Sequence, residues 1–285
     1  MSVELYLITD ADEALEVREV DGPALFRYVY APATPAREAP RPYLHPVYAR
    51  SGEILTNFRP NDHPWHHGLS LTINQVDGWN FWGGPTYRAG EGYRWQENHG
   101  VQRHLEWVGL APRRLEQSVA WETGKGERLL NERRVLTVED VTDHAWALGW
   151  QSVLRNVTAR ELVLSNYHSG QGLKGSHYTG LQFRGRRELL DDHGDAEVGI
   201  WADGEVSGEA AVHGLSSAWM EWRGQMDTTL RRVKVRFENG GEPVHWFVRR
   251  NNPLAALAFQ FDRDRGLAPG GELRLHHRLV FTDLP

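Results

Sequence analysis

Ala120-Trp121-Glu122-Thr123-Gly124-Lys125-Gly126-Glu127-Arg128-Leu129-Leu130 is the stretch that decides the fold class. Its glycines, Gly124 and Gly126, supply the positive φ that a tight hairpin turn requires. The runs on either side, Leu115–Glu122 and Glu127–Val138, read as strands. Outward from this hairpin, alternation of apolar and polar residues recurs along the chain, punctuated by Gly, Pro, Asn and Asp. In Leu230–Phe237 the apolar Val233, Val235 and Phe237 alternate with Arg232, Lys234 and Arg236, which puts one face on a core and a basic face toward water. In the last strand Leu273, Leu275, Leu279 and Phe281 share one face with His277. Further strands are predicted at Val3–Ile8, Leu25–Tyr30, Leu44–Ala49, Leu69–Val76, Val101–Leu110, Ala145–Asn156, Glu161–Tyr167, Tyr178–Arg184, Ala218–Trp222, Val244–Val248 and Leu257–Phe261. No segment carries a capped, sustained helical apolar stripe, so helix content is expected to be low. So many strands without crossover helices point to an all-β chain: a large antiparallel two-sheet β-sandwich, or a related barrel, with residues 1–285 as a single domain.

Two zones interrupt the strands. Ala31–Pro42 is proline-dense and is expected to be an extended surface connection. Arg186–Ala211, acidic and glycine-containing, reads as a long decorated loop with one short strand at Val198–Trp201.

Composition excludes several function classes. The chain of 285 residues has no cysteine, which removes thiolate catalysis, iron–sulfur clusters and Cys-based zinc sites and fits a reducing cytosol. The 32 basic and 38 acidic residues are interspersed, so no basic stripe exists for nucleic acid to bind. Met1-Ser2-Val3-Glu4-Leu5 does not resemble a secretory signal, and no run approaches about 18 apolar residues, so a cytoplasmic chain without a membrane partner is expected. Twelve Trp, nine Tyr and nine Phe must fill a sheet-on-sheet core or line a ligand pocket.

The densest chemistry lies in Asn57-Phe58-Arg59-Pro60-Asn61-Asp62-His63-Pro64-Trp65-His66-His67-Gly68, where three of the fourteen histidines fall within five residues. Pro60 and Pro64 exclude a helix interior and Asn61-Asp62 favours a turn, so these imidazoles are expected on a loop entering the strand Leu69–Val76. Loops carried on a rigid sheet are where sites are usually built. If the strand has begun at His66, the two adjacent histidines face opposite ways. His67 then shares the side of Leu69, Leu71 and Ile73, and His66 the polar side of Ser70, Thr72 and Asn74, where a substrate can reach it. Two alternatives stand beside this: imidazoles that merely bond backbone carbonyls, and a divalent metal held by residues among His63, His66 and His67. The metal requires the loop to curl His63 toward one of the pair, and the helical His-Glu-x-x-His spacing is missing.

Downstream, Asp77-Gly78-Trp79-Asn80-Phe81-Trp82-Gly83-Gly84 reads as a turn followed by aromatic rings. A sugar presents apolar C–H faces between hydroxyl groups, so Trp82 among Asn, Asp, Arg and His hydrogen-bonders suits a carbohydrate. Three more segments offer partners: Glu97-Asn98-His99-Gly100, Tyr167-His168-Ser169-Gly170 leading to His177 and Arg184, and Trp246–Asn252 with Arg249. A planar guanidinium clamps a carboxylate or a diol-like acceptor.

At Asp62-His63-Pro64-Trp65-His66-His67-Gly68-Leu69 the chain resembles a bacterial family of unknown function labelled PmoA, or methane oxygenase. Val76-Asp77-Gly78 through Phe81-Trp82 fits the same pattern, as do Tyr178-Thr179-Gly180-Leu181-Gln182-Phe183-Arg184, Trp246-Phe247-Val248-Arg249 and Leu267-Ala268-Pro269-Gly270-Gly271-Glu272-Leu273. The label describes an integral membrane subunit and does not suit a chain without an apolar span. The resemblance implies a galactose-mutarotase-like β-supersandwich with a role in bacterial sugar catabolism, beside sugar-oxidising dehydrogenases. It carries no catalytic role onto any residue here.

The expected function is an enzyme that acts on a sugar or oxidised (keto) sugar by general acid/base chemistry: anomer interconversion, epimerisation or elimination next to a carbonyl. His66 or His67 is the expected imidazole, and Glu97 or Asp77 the carboxylate. Arg59, Asn61, Trp82, His99, His177, Arg184 and Arg249 are the expected binders. No cofactor is required on this reading. A non-catalytic carbohydrate-binding protein and a metal-dependent lyase or hydrolase using His63 and a neighbour are the alternatives. Oligomeric state is left open.

Overall fold

In the computed structural model, which describes residues 3–285, the strands Arg114–Thr123 and Arg128–Glu139 pair antiparallel across the expected turn. Gly126 N donates to Thr123 O at 2.9 Å and Thr123 N to Glu127 O at 2.8 Å. Of the two glycines only Gly126 takes a positive φ, +87°. Gly124 is required for a different reason: a Cβ there would lie 2.8 Å from the His99 carbonyl oxygen.

The fold is all-β, built on two large antiparallel sheets. One has eight strands in the order Leu5–Asp10, Ala14–Glu19, Ala24–Val29, Tyr43–Val47, Leu69–Thr72, Gly180–Arg184, Leu254–Ala258, His245–Arg249. The other has ten: Val206–Ser207, Gly199–Ala202, Trp219–Met226, Arg232–Asn239, Glu272–Leu284, Ala145–Asn156, Arg128–Glu139, Arg114–Thr123 and Gly100–Ala111 in order, with Leu189–Leu190 paired onto Trp219–Met226. The sheets meet face to face through aromatic rings. Phe26 stacks on Trp146 at 5.8 Å, and Phe183 lies 5.5 Å from Phe237, 5.6 Å from Trp222 and 6.2 Å from Phe281. One continuous apolar cluster joins them. The alternation read from sequence is visible in the burial: Val233, Val235 and Phe237 are buried, as are Leu273, Leu275, His277, Leu279 and Phe281. Helix is confined to Ala36–Glu38, Tyr167–Gln171 and Glu209–Val212 among the described residues. None of these is long and apolar enough to cross a membrane.

Two expectations are corrected. Ala31–Pro42 is not a surface connection throughout, because Glu38, Ala39, Arg41 and Pro42 are buried. The charged pair can be inside because each finds hydrogen-bonding partners there, as set out below. Arg186–Ala211 is not a free loop either. It supplies Leu189–Leu190, Gly199–Ala202 and Val206–Ser207, which extend the ten-stranded sheet. Its acidic residues lie in the connections and mask the short apolar runs between them.

Register decides what the eight-stranded sheet shows on its outer side. Ser70 pairs with Gln182, Gln182 with Ala256, and Ala256 with Phe247. Arg184 pairs with Leu254, and Leu254 with Arg249. Leu69, Leu71, Leu181, Phe183, Leu257 and Trp246 point the other way, into the sandwich core.

Candidate functional site

Trp82, Phe247, Leu254 and Ala256 form a separate small apolar cluster on this outer face, with Trp65 and Tyr178 packed against it. An open cleft of about 600 Å³ lies among them, walled by Trp65, Trp82, Tyr93, Tyr178 and Phe247. Small-molecule sites have this size and this mixture of rings with a few polar groups. Trp82 and Tyr178 are 4.8 Å apart, and Tyr178 and Phe247 5.7 Å. The polar lining is Asp62, His63, His66, Arg184 and Arg249, with Ser176, Asn251 and Asn252.

The histidine loop is held from both ends. Gly68 N donates to Asn57 O at 3.0 Å and Arg59 N to His66 O at 2.9 Å, while Asn57 N and Arg184 O (2.8 Å) and Arg184 N and Gly68 O (2.8 Å) tie the loop to the sheet. Gly68 has φ +47°, and a side chain there would overlap the Leu44 carbonyl oxygen. Beneath the loop sits Arg41, fully buried, whose guanidinium donates to the carbonyls of Trp65 (2.8 Å), Glu38 (3.0 Å), Ala39 (3.0 Å) and Trp82 (3.2 Å) and to Ser70 Oγ (3.1 Å). One side chain thus fixes the backbone of two aromatic walls. Burial lowers the Arg41 pKa to about 9, with Glu38 opposing the shift, so it stays charged at neutral pH. Glu38 accepts from Arg59 Nε (3.0 Å) and Nη2 (2.7 Å) and from His67 Nε2 (3.0 Å). Burial raises the Glu38 pKa, but the contacts with His67 and Arg59 outweigh it and hold the carboxyl below its ordinary range.

His66 and His67 therefore separate. His67 is enclosed with Glu38, whereas His66 lines the cleft at 3% exposure. The His66 ring lies 4.9 Å from His63 and 5.8 Å from Trp82, and its Nδ1 has no partner in the protein. Burial pushes its pKa well below the ordinary histidine value, and the charges of Arg184 and Arg41 add to the effect. It is a neutral imidazole at neutral pH. His63 Nδ1 lies 3.0 Å from Asp62 Oδ2. Asp62 is also paired with Arg187. Burial raises the Asp62 pKa, yet His63 and Arg187 bring it below its ordinary range.

Arg184 stands at the base of the cleft, 3% exposed, and neither its Nε nor its Nη2 meets a protein acceptor. Burial lowers its pKa to about 10, which leaves it cationic. Arg249 lies 4.5 Å over the Phe247 ring, donates to Val248 O at 2.7 Å and contacts His213 Nδ1 at 3.1 Å.

Of the residues expected from sequence, the fold brings His63, His66, Trp82, Arg184 and Arg249 to this cleft. The others stand elsewhere. Arg59 and His67 lie behind it on Glu38, and Asn61 Oδ1 accepts from Arg187 at 2.8 Å. His99 Nε2 donates to Gly84 O at 2.7 Å, and His177 stacks on Phe261 at 3.8 Å with Nδ1 donating to its carbonyl at 3.1 Å. Asp77 occupies a turn, paired with Arg160 at 3.0 Å, and Glu97 is exposed. Sequence reasoning missed Glu38, Arg41 and Tyr93. The one available signal was that Ala31–Pro42 contains charges at all, at Arg37, Glu38 and Arg41. For a metal, the described residues gather His168, His177 and Asp262, and separately Asp191, Asp195 and Glu197. Neither group includes His63, His66 or His67.

The class of protein is thus a two-sheet antiparallel β-sandwich with an aromatic-walled cleft on the outer face of one sheet. The chain belongs to a family of unknown function (DUF6807), which residues 16–284 match. That description agrees with the unknown function of the family resembled in sequence, and it carries no methane-oxygenase label. Among solved structures the chain is similar to a putative aldose 1-epimerase from Escherichia coli K12, at 9% identity and TM-score 0.38 over 99% of this chain and 100% of that one. It is also similar to a GalM/aldose epimerase homologue from C. elegans, at 12% identity and TM-score 0.31 over 99% of each chain. No curated protein matches it.

Proposed function

We propose that the chain acts on a sugar or an oxidised (keto) sugar in this cleft by proton transfer, with His66 as one acid/base group. The observation that supports the reading most directly is His66 itself: a neutral imidazole in the cleft lining, its ring 5.8 Å from Trp82 and its Nδ1 unpartnered though closed to water. A neutral imidazole offers one nitrogen that accepts a proton and one that donates. The rings of Trp82, Tyr178 and Phe247 give the apolar C–H faces of a sugar a surface to stack on. Arg184 and Arg249 bind its oxygens, and the Asp62–His63 couple supplies a second proton-transfer group on the cleft. No cofactor enters this scheme. The test is proton NMR in deuterated water with a panel of aldoses, ketoses and sugar acids. Catalysed anomer exchange or deuterium wash-in next to a carbonyl is expected with at least one of them. It should fall about a hundredfold or more in His66→Gln. Binding without any exchange across the panel would overturn the enzymatic reading.

A second reading, a carbohydrate-binding protein without turnover, is favoured by one observation. Neither Asp77 nor Glu97 lines the cleft, and the carboxylate that does, Asp62, is engaged by Arg187.

A further inference from the structure

We infer that the sugar taken by this cleft is an anionic one, whose carboxylate or phosphate oxyanion is held by Arg184 with Arg249 beside it. The inference rests on the carbohydrate reading above and names the class within it. Its ground is how the fold treats its buried guanidinium groups. Arg134, between the sheets, spends its donors on both oxygens of Glu132, on Tyr28 and on Gln102. Arg41, under the loop, is enclosed by four carbonyls and a hydroxyl. Arg184 is as deeply placed, yet its Nε and Nη2 are unpartnered and it forms no ion pair with any carboxylate of the described residues.

Nε and Nη2 are the edge with which Arg59 grips the two oxygens of Glu38 in this same molecule, at 3.0 and 2.7 Å. That edge is a two-pronged donor fitted to a planar oxyanion. No protein acceptor meets that edge on Arg184, where both nitrogens are closed to water although the side chain lines the cleft. Asp62, the acid on the cleft, is committed to Arg187 and His63. The lining therefore has Arg184 as a cation without an ion pair, Arg249 paired with Glu209 at 3.7 Å, one aspartate paired with Arg187 and a neutral His66, in a chain whose formal net charge is −6. A buried cation without an ion pair in a ring-walled cleft favours an anion there over a neutral sugar. Arg184 is also rigidly placed, since both its backbone N–H and its carbonyl are bonded to the histidine loop at 2.8 Å.

The test is calorimetric titration of the whole protein with glucuronate, galacturonate and gluconate, with glucose and galactose as neutral counterparts, and with glucose 6-phosphate. At least one acidic sugar should bind about tenfold to a hundredfold tighter than its neutral parent, and Arg184→Gln should bring the two affinities together, with the larger loss falling on the acidic sugar. Preference for the phosphate ester over all three sugar acids would assign the oxyanion to phosphate, still at Arg184. Arg184→Lys keeps the charge without the planar fork and serves if Arg184→Gln does not fold. It should lose about threefold or more of the carboxylate preference. Equal binding of acidic and neutral sugars would overturn the anion inference and leave the carbohydrate reading standing. Binding of none of these sugars would overturn both. A preference that survives in Arg184→Gln, or unchanged in Arg184→Lys, would remove Arg184 from the role.

Discussion

Arg134 and Arg184 stand on strands of one sandwich and are buried to nearly the same depth, but their surroundings are opposites. Around Arg134, Glu132 accepts at 2.7 and 2.8 Å, Gln102 at 3.1 Å and Tyr28 at 3.2 Å, and the Trp150 ring covers the guanidinium at 4.9 Å. The other lone pairs of Glu132 take Trp121 Nε1 at 2.8 Å and Ser152 Oγ at 2.6 Å. Burial alone would lower the Arg134 pKa, but Glu132 and Tyr28 raise it above the ordinary arginine value. Around Arg184 only the charge of Asp62 opposes burial, without a hydrogen bond, and burial wins. This chain can satisfy a buried guanidinium completely where the group joins two sheets. Arg50, outside the cleft, also leaves Nε and Nη1 without an acceptor but is paired with Glu19, so what sets Arg184 apart is that its buried charge has no ion pair at all.

The largest effect follows from that contrast. Glu132→Ala leaves Arg134 charged and unpaired between the sheets, a change that costs roughly 3–5 kcal/mol. Arg184→Met removes a charge that has no partner and is expected to change stability by about 1 kcal/mol or less, in either direction. Urea denaturation measures both, provided the slope of each transition is unchanged. An equal loss in the two variants would break the comparison, because Arg184 would then be holding the fold as Arg134 does.

Histidines repeat the contrast at a smaller scale. His277 is 1% exposed on the inner face of the ten-stranded sheet, with Nδ1 3.1 Å from Asn239 Oδ1, whereas His66 opens on the cleft. Burial, and then His276, lowers the His277 pKa to about 3, and burial lowers those of His67 and His45 to about 4. Each folded value lies below the unfolded value of about 6.5, so between the two the unfolded chain binds more protons. Stability is therefore full above about pH 6.5 and falls as the pH drops, for His277 down to about 3. Glu38, held below its ordinary range, adds a loss that begins below about pH 4.3. Between pH 6.5 and 5 one such histidine contributes up to about 2 kcal/mol. Denaturation midpoints at pH 7.5 and 5 should differ accordingly, and His277→Leu should flatten the difference. A pH profile unchanged by that substitution would show that His277 is not neutral and enclosed as described.

The legible parts of the molecule are those where one face of a strand meets water or one side of a turn is free. Val233, Val235 and Phe237 announce their strand because Arg232 on the alternate side is exposed, and Gly126 announces its turn through its φ. The strand Gly180–Arg184 has the same alternation, Leu181 and Phe183 against Gln182 and Arg184, yet all five of its residues are buried. Alternation reports polarity and not depth, so it cannot separate a solvated face from one roofed by distant loops. The histidine loop was visible through its density of imidazoles, but strand parity does not run through it: the strand begins at Leu69, Gly68 turns at φ +47°, and His67 is drawn away from His66 by Glu38. Glu38 and Arg41 were not visible, because their burial depends on partners far along the chain: Arg59 and His67 for one, and the carbonyls of Trp65 and Trp82 for the other.

The smallest effects belong to Asp77 and Glu97, the carboxylates that sequence position alone favoured as a base. Asp77 sits in a turn at φ +52°, a conformation Asn accepts as readily as Asp, and its bond to Arg160 is at the surface. An exposed pair of this kind contributes about 0–1 kcal/mol. Glu97 is exposed and outside the cleft. Asp77→Asn and Glu97→Gln should each leave sugar affinity and any catalysed exchange within about twofold of the parent, and stability within about 0.5 kcal/mol. Titration and deuterium exchange on the two variants check this directly. Loss of exchange in either would move the chemistry away from the Arg184 cleft. The unpaired guanidinium would then carry no functional meaning, and its difference from Arg134 would reduce to a difference in packing.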